Sequence, residues 1–189
     1  MTDTFSETAF LSICKKDGTA VEFRTIIESF KKTGGDKDVD SIATIGAGRL
    51  KVFKPATDIE ITIEGYAVEV GTDSGTTGKG FFDLMNTQDT SQPLSVAIDT
   101  VRDEYQIAVL TTDDTTVTGA GDEVASGSTG LRMVAKNGHF TKNEWDFGDK
   151  VMKFSITFKC PPFNKAGTAN YTEESCDATA VMAAVSAYT

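Results

Sequence analysis

Between residues 59 and 64 the chain alternates isoleucine with polar side chains. Ile59, Ile61 and Ile63 fall on one side of an extended strand, Glu60, Thr62 and Glu64 on the other. The same period of two runs through VMKFSITFKC, residues 151–160, where Met152, Phe154, Ile156, Phe158 and Cys160 oppose Lys153, Ser155, Thr157 and Lys159. PLSVAID, residues 93–99, places Leu94, Val96 and Ile98 on one face of a further strand. EYQIAVLT, residues 104–111, is apolar on both sides and reads as a strand covered on both faces.

Local signals then join these strands. Beyond Ile63 the apolar parity moves to Tyr66, Val68 and Val70, which predicts a bulge or bend at Gly65. GRLKVF, residues 48–53, is followed by the turn-rich KPATD, so a hairpin with residues 59–63 is expected. That pairing would bury Leu50 and Val52 and set Arg49 and Lys51 beside Glu60 and Glu64, in cross-strand pairs contributing about 0.2 to 1 kcal/mol each. Asn137-Gly138 predicts the tight turn of a second hairpin over residues 131–145.

Helical spacing is confined to KGFFDLMN, residues 79–86, through Phe81, Leu84 and Met85, while DATAVMAAVSA, residues 177–187, suits a helix or a last strand equally. The expectation is a single, mainly β domain over residues 1–189, an antiparallel sandwich or barrel with one short α-helix. Two connections, 71–93 and 111–130, are long enough to be functional arms or disordered segments.

Charge narrows the function classes. Asp and Glu number 28 against 18 Lys and Arg, a formal charge of −10, which opposes general affinity for nucleic-acid phosphates. MTDTFSETAF lacks the basic and apolar regions of a secretory signal, and no run of eighteen apolar residues occurs, so synthesis in the cytoplasm and a soluble product without membrane contact are expected. Cys14, Cys160 and Cys176 are widely spaced and form no CxxC, which favours reduced structural thiols over a disulfide framework or zinc site.

Candidate chemistry fails on inspection. GTDSGTTGKG, residues 71–80, has Asp73 and Gly80 where a Walker loop requires glycine and a hydroxyl. His139 is the only histidine and has no nucleophile motif beside it. Asp113, Asp114, Asp122 and Glu123 lack calcium-loop spacing and read as a solvated loop. Asn170-Tyr171-Thr172 is a formal glycosylation acceptor without a secretory signal, and Trp145 with Phe147 shares a strand face in the manner of core packing. The prediction is a protein that is not an enzyme, with no catalytic residue, cofactor or metal site.

Three stretches together carry a family resemblance: KPATDIEITIEGYAVEVG, DEYQIAVLTTDD, and LRMVAKNGHFTKNEWDFGDKVMKFSITFKCPPFNKAGTANYTEES. In strand texture and turn placement over about 50–176 the chain resembles the tail tube, or major tail, protein of tailed viruses, most nearly those of archaea. The resemblance implies a structural virion protein whose hexameric rings stack into the tail tube, through which DNA passes without specific binding. Implied partners are further copies of the chain, the tape measure, the baseplate and a sheath. It also implies assembly arms at 1–12 and 170–189, and makes Glu60, Thr62 and Glu64 candidate lumen-facing residues, repelling a duplex that bears about one charge per 1.7 Å. The rival expectation is a β-sandwich that recognises a glycan or protein through loop 111–130 and Trp145.

Overall fold

The computed structural model describes residues 9–18, 20–45, 48–67, 103–148, 151–177 and 179–189. The helix expected at 79–86, the strand at 93–99 and the loop 71–93 lie outside these residues. Nine strands lie among the described residues: β1 (Ala9–Lys15), β2 (Val21–Thr33), β3 (Val39–Ala43), β4 (Arg49–Phe53), β5 (Ile59–Ala67), β6 (Tyr105–Thr112), β7 (Gly130–Gly148), β8 (Val151–Cys160) and β9 (Tyr171–Cys176). No helix occurs among the described residues, and the mainly β class stands.

The sheet runs in the order β6-β1-β2-β5-β8-β7-β9, and a further pairing of β6 with β7 closes its first six strands into an antiparallel barrel. Closure removes the open edges that a flat sheet of this size would present. The inward-facing isoleucines of β5 meet Leu11, Ile13, Ile107, Val109, Phe140, Phe154, Ile156 and Phe158 in the barrel core. Edge-to-face rings of Tyr105, Phe140 and Phe158, with centroids 5.4 and 5.3 Å apart, fill its middle.

β1 begins at Ala9, so residues 9–12 of the expected amino-terminal arm belong to the barrel wall. Its outer side, with the outer side of β6, is roofed by a second apolar cluster: Phe10, Ala108 and Leu110 from the wall meet Val117, Ala120 and Val124 of loop 111–130 and Met182 of the tail. EYQIAVLT is thus covered on both faces, as its composition predicts. The tail is neither helix nor regular strand beyond β9. It is tied down by paired backbone bonds between Val124 and Met182 and by Val185 N–H donating to Gly121 O.

Three local expectations are corrected. Asn137-Gly138 makes no hairpin turn; β7 runs straight through it for 19 residues. Gln106 lies opposite two residues there, because Tyr105 pairs with Gly138 and Ile107 with Ala135, so the left-handed Asn137 (φ 55°) marks a bulge at which β7 leaves β6 for β8. Gly138 is required by space: a Cβ would stand 2.3 Å from the Phe158 ring and 2.7 Å from Lys159 O.

Through Tyr66 the parity change after Ile63 involves no bend in β5; Val68 and Val70 lie outside the described residues. Gly65 keeps the inward position opposite Ile27 and Phe154, and Tyr66 simply points outward, donating to Glu28 Oε1 at 3.1 Å. The irregularity lies at this level but on β2, where Glu28 is the extra residue between Ile27 and Ser29.

GRLKVF does not pair with β5, because both edges of β5 are occupied by β2 and β8. β4 pairs instead with β3 in a separate two-stranded ribbon, and Leu50 and Val52 are exposed rather than buried.

Candidate functional site

The ribbon continues the β2 and β5 strands beyond the barrel. Gly34 and Gly35 take φ values of 80° and 78°, and a Cβ on Gly34 would fall 1.9 Å from Asp58 O, so this kink admits only glycine. A short stalk follows, tied by Gly35 N–H to Thr57 O (3.2 Å), Thr57 N–H to Asp36 O (3.0 Å) and Lys54 N–H to Asp38 O (3.0 Å). Beyond it β3 and β4 are exposed at every position.

Six of the ten large apolar side chains exposed among the described residues crowd into this element: Val39, Ile42, Ile45, Leu50, Val52 and Phe53. Isolated two-stranded ribbons are marginal in water, and apolar side chains clustered at this density mark contact surfaces. Register places Arg49 and Lys51 on the same ribbon face as Val39 and Phe53. Neither cation makes an ion pair among the described residues, whereas Lys54 is held by Asp40 at 2.9 Å.

The barrel wall of β2, β5, β8 and the second half of β7 has an opposite character. Its outer side carries Ser29, Lys31 and Thr33, then Glu60, Thr62 and Glu64, then Lys153, Ser155, Thr157 and Lys159, then Lys142, Glu144 and Asp146. None of the exposed large apolar residues lies on it. Glu60 and Glu64 are exposed and Thr62 is half-buried, its hydroxyl 3.5 Å from that of Thr157. β8 is the direct neighbour of β5, with Glu60 opposite Lys159, so the wall is of mixed sign rather than purely acidic. At its β7 end a groove of about 420 Å³ opens, lined by Glu28, Glu64, Glu144, Trp145, Asp146 and Lys153.

The remaining candidates have structural roles. Asp114 accepts bonds from the Thr116 hydroxyl (2.6 Å), Thr116 N–H (2.9 Å) and Ala125 N–H (3.0 Å), which hold its carboxyl below the usual aspartate range. Burial pushes Asp122 upward, but bonds from the Thr118 hydroxyl and N–H and from Gly119 N–H outweigh it and leave the carboxyl low. Asp113 caps Thr129 N–H at 2.7 Å. These carboxylates shape loop 111–130, and no metal-holding group of three His, Cys, Asp or Glu occurs among the described residues.

His139 is exposed with Nδ1 2.9 Å from Asp103 O. Asn170 is 3% exposed and its amide is committed to Pro161 O and Asn137, so the NYT sequence presents no accessible acceptor. Trp145 packs on the barrel core, its ring 6.3 Å from that of Phe154, while Phe147 is 73% exposed at the rim. Loop 111–130 packs over β1 and β6, and Trp145 packs against the barrel core. The three thiols are free and buried, with burial raising Cys14 and Cys176 and pushing Cys160 up to about 11.

One residue escaped sequence reasoning. Arg132 is wholly buried on the outer side of β7, donating to Ala120 O (3.3 Å), Asp122 O (2.8 Å) and Ala183 O, with Glu174 at 3.5 Å. Its signal was faint: a lone cation in LRMVA, flanked by apolar residues on both strand faces.

No family model and no curated protein matches the chain. Among the solved structures that resemble it are chains of the anti-feeding prophage and of an extracellular contractile injection system. A chain of the anti-feeding prophage baseplate has TM-score 0.47 and 9% identity, covering 94% of this chain and 98% of that one. A chain of the sheath–tube complex of an extracellular contractile injection system has TM-score 0.43 and 14% identity, covering 88% of each. A chain of the tube-terminating cap of the anti-feeding prophage has TM-score 0.41 and 13% identity, again over 88% of each.

Proposed function

We propose that the chain is a non-catalytic structural subunit of a phage-tail-like particle, assembling with its own kind into hexameric rings that stack as a tube. The observation that carries this reading is the β3–β4 ribbon, which holds six exposed apolar side chains away from a barrel whose own core is complete. A closed barrel has no use for such an element by itself; a neighbouring subunit does. The bare wall supports the same reading, because its polar, mixed-sign surface suits permanent contact with water.

In the assembly Glu60, Thr62 and Glu64 face the lumen, where carboxylates spaced among lysines let DNA pass without sequence-specific grip. Tape-measure, baseplate and sheath proteins are the further partners, and the tail of a virion is the location. The test is sedimentation and electron microscopy of the concentrated chain beside an Ile42→Asp/Leu50→Asp variant. Wild type should form rings or tubes, and the variant should remain monomeric with an unchanged melting temperature. A wild-type chain that is monomeric at every concentration, or a variant that assembles as wild type does, refutes the proposal.

A further inference from the structure

Between β1, β6, loop 111–130 and the end of the tail lies a hollow of about 420 Å³, a size that suits a small organic molecule. It shares no residue with the ribbon or the polar wall, so what it binds is independent of the assembly reading.

Glu22 brings a charge to this hollow. Its carboxylate accepts Ala120 N–H at 2.7 Å and further bonds from the Ser12 hydroxyl and Gly121 N–H, all uncharged donors, and it makes no ion pair among the described residues. Asp122 adds a second carboxylate to the lining, and no lysine, arginine or histidine lines it among the described residues. Arg132 attracts Asp122, whereas Glu22 feels Asp122 as a like charge. Lys15 and Lys16, at the end of β1, are held by Asp103 and Glu104. Burial accordingly raises the Glu22 carboxyl above the usual glutamate range.

Gln106 points the same way independently. It lines the hollow from β6, is 5% exposed, and its Oε1 has no hydrogen-bond partner among the described residues. A buried acceptor left unbonded is destabilising, and a donor supplied from outside the chain would relieve it. Val185, Ala187 and Tyr188 of the tail add apolar surface to the same lining. Acceptors joined to apolar side chains suit a short alkyl stem that ends in an N–H-rich cation. A bare metal ion is a poorer fit, because no ligating group of three His, Cys, Asp or Glu occurs among the described residues.

We infer that this hollow binds a small primary alkylamine as its ammonium ion, with Glu22 and Gln106 accepting its N–H groups and the tail residues lying against its stem. The bound amine touches barrel, loop and tail together, and so fastens the roof to the wall.

The probe is n-butylammonium chloride, titrated into the full chain at pH 7 and followed by hydrogen exchange. Exchange over residues 120–122 and 185–188 should slow in a saturable manner, with a dissociation constant of about 1 mM or tighter, and the melting temperature should rise. Butan-1-ol and sodium chloride at equal concentrations should do neither. Glu22→Gln and Gln106→Leu, which each remove a polar group that burial disfavours, should keep the fold and weaken binding about tenfold or more. Glu144→Gln, on the polar wall, should bind as wild type does. A response that does not saturate or falls elsewhere in the chain, an equal response to butan-1-ol or salt, or undiminished binding in either hollow variant overturns the inference. Self-assembly would stand in each of those cases.

Discussion

Removing the Arg132 guanidinium tests whether the roof over β1 and β6 is a separately held layer. In Arg132→Met the apolar stem is largely kept, but Ala120 O, Asp122 O and Ala183 O lose their donor and Glu174 loses its cation. Bonds from a charged donor contribute roughly 1.5 to 3 kcal/mol each, and the variant is spared several kcal/mol of burying a cation, a cost visible in the lowered pKa that burial imposes on Arg132. Three lost bonds against one relieved desolvation leaves a net loss of about 3 kcal/mol. The three carbonyls belong to loop 111–130 and the tail, so the loss falls on the attachment of the roof and not on the barrel ladder. Hydrogen exchange reads this directly, because Val124, Met182 and Val185 N–H are bonded only within the roof. Their exchange should accelerate about a hundredfold, whereas amides of β5 and β8 should keep wild-type protection. Unchanged exchange at the three roof amides, or equal acceleration in the barrel, would refute the reasoning.

Two further substitutions probe the fold. Gly138→Ala places a methyl against the Phe158 ring and Lys159 O and should cost about 3 kcal/mol in urea unfolding, the upper end of overpacking; a loss below about 0.5 kcal/mol would show that the bulge yields freely. Opposite pH behaviour is predicted at two carboxyls that bond the roof, Asp114 and Glu22, the latter accepting from Ala120 N–H at 2.7 Å. Burial raises Glu22 above the usual glutamate value, so its ionisation opposes folding as pH rises through that raised value; Glu22→Gln should gain on wild type at neutral pH, and the gap should close in acid. Asp114 is lowered, so its contribution is complete above the unfolded value of 3.8 and is lost as pH falls through the native one; Asp114→Asn should be the less stable at pH 6 and equal to wild type in strong acid. Gaps of the reverse sign in urea titrations would contradict the assigned interactions.

How much was legible depended on whether a residue's surroundings were local. The inward isoleucines of β5 and aromatics of β8 were readable because a strand with one buried face writes its period into the sequence. β2 was not, because Glu28 bulges out and places Ile27 and Phe30 on the same side despite odd spacing. Asn137-Gly138 was misread for a related reason: the dipeptide that closes a tight turn also permits a bulge, and only the partner exchange from β6 to β8 decides between them. Leu50 and Val52 looked like core because alternation reports two unlike faces, not what covers them. In the ribbon nothing among the described residues does.

That last misreading carries the functional argument. A strand whose apolar side chains are patterned for burial and yet exposed has been given a face by the sequence and no place for it by the fold. The roof shows that the chain can cover such a face when one is left open: the outer side of β6 is closed by loop 111–130 and the tail, with Arg132 and three shaped aspartates spent on the closure. No comparable roof covers the β3–β4 ribbon among the described residues; at its base Lys37 lies over Phe53 at 5.1 Å, and Pro162 and Phe163 border the same hollow. The asymmetry within one small domain, one apolar outer surface sealed and the other projected on a glycine-kinked stalk, is what supports the proposal of an intermolecular partner for the second.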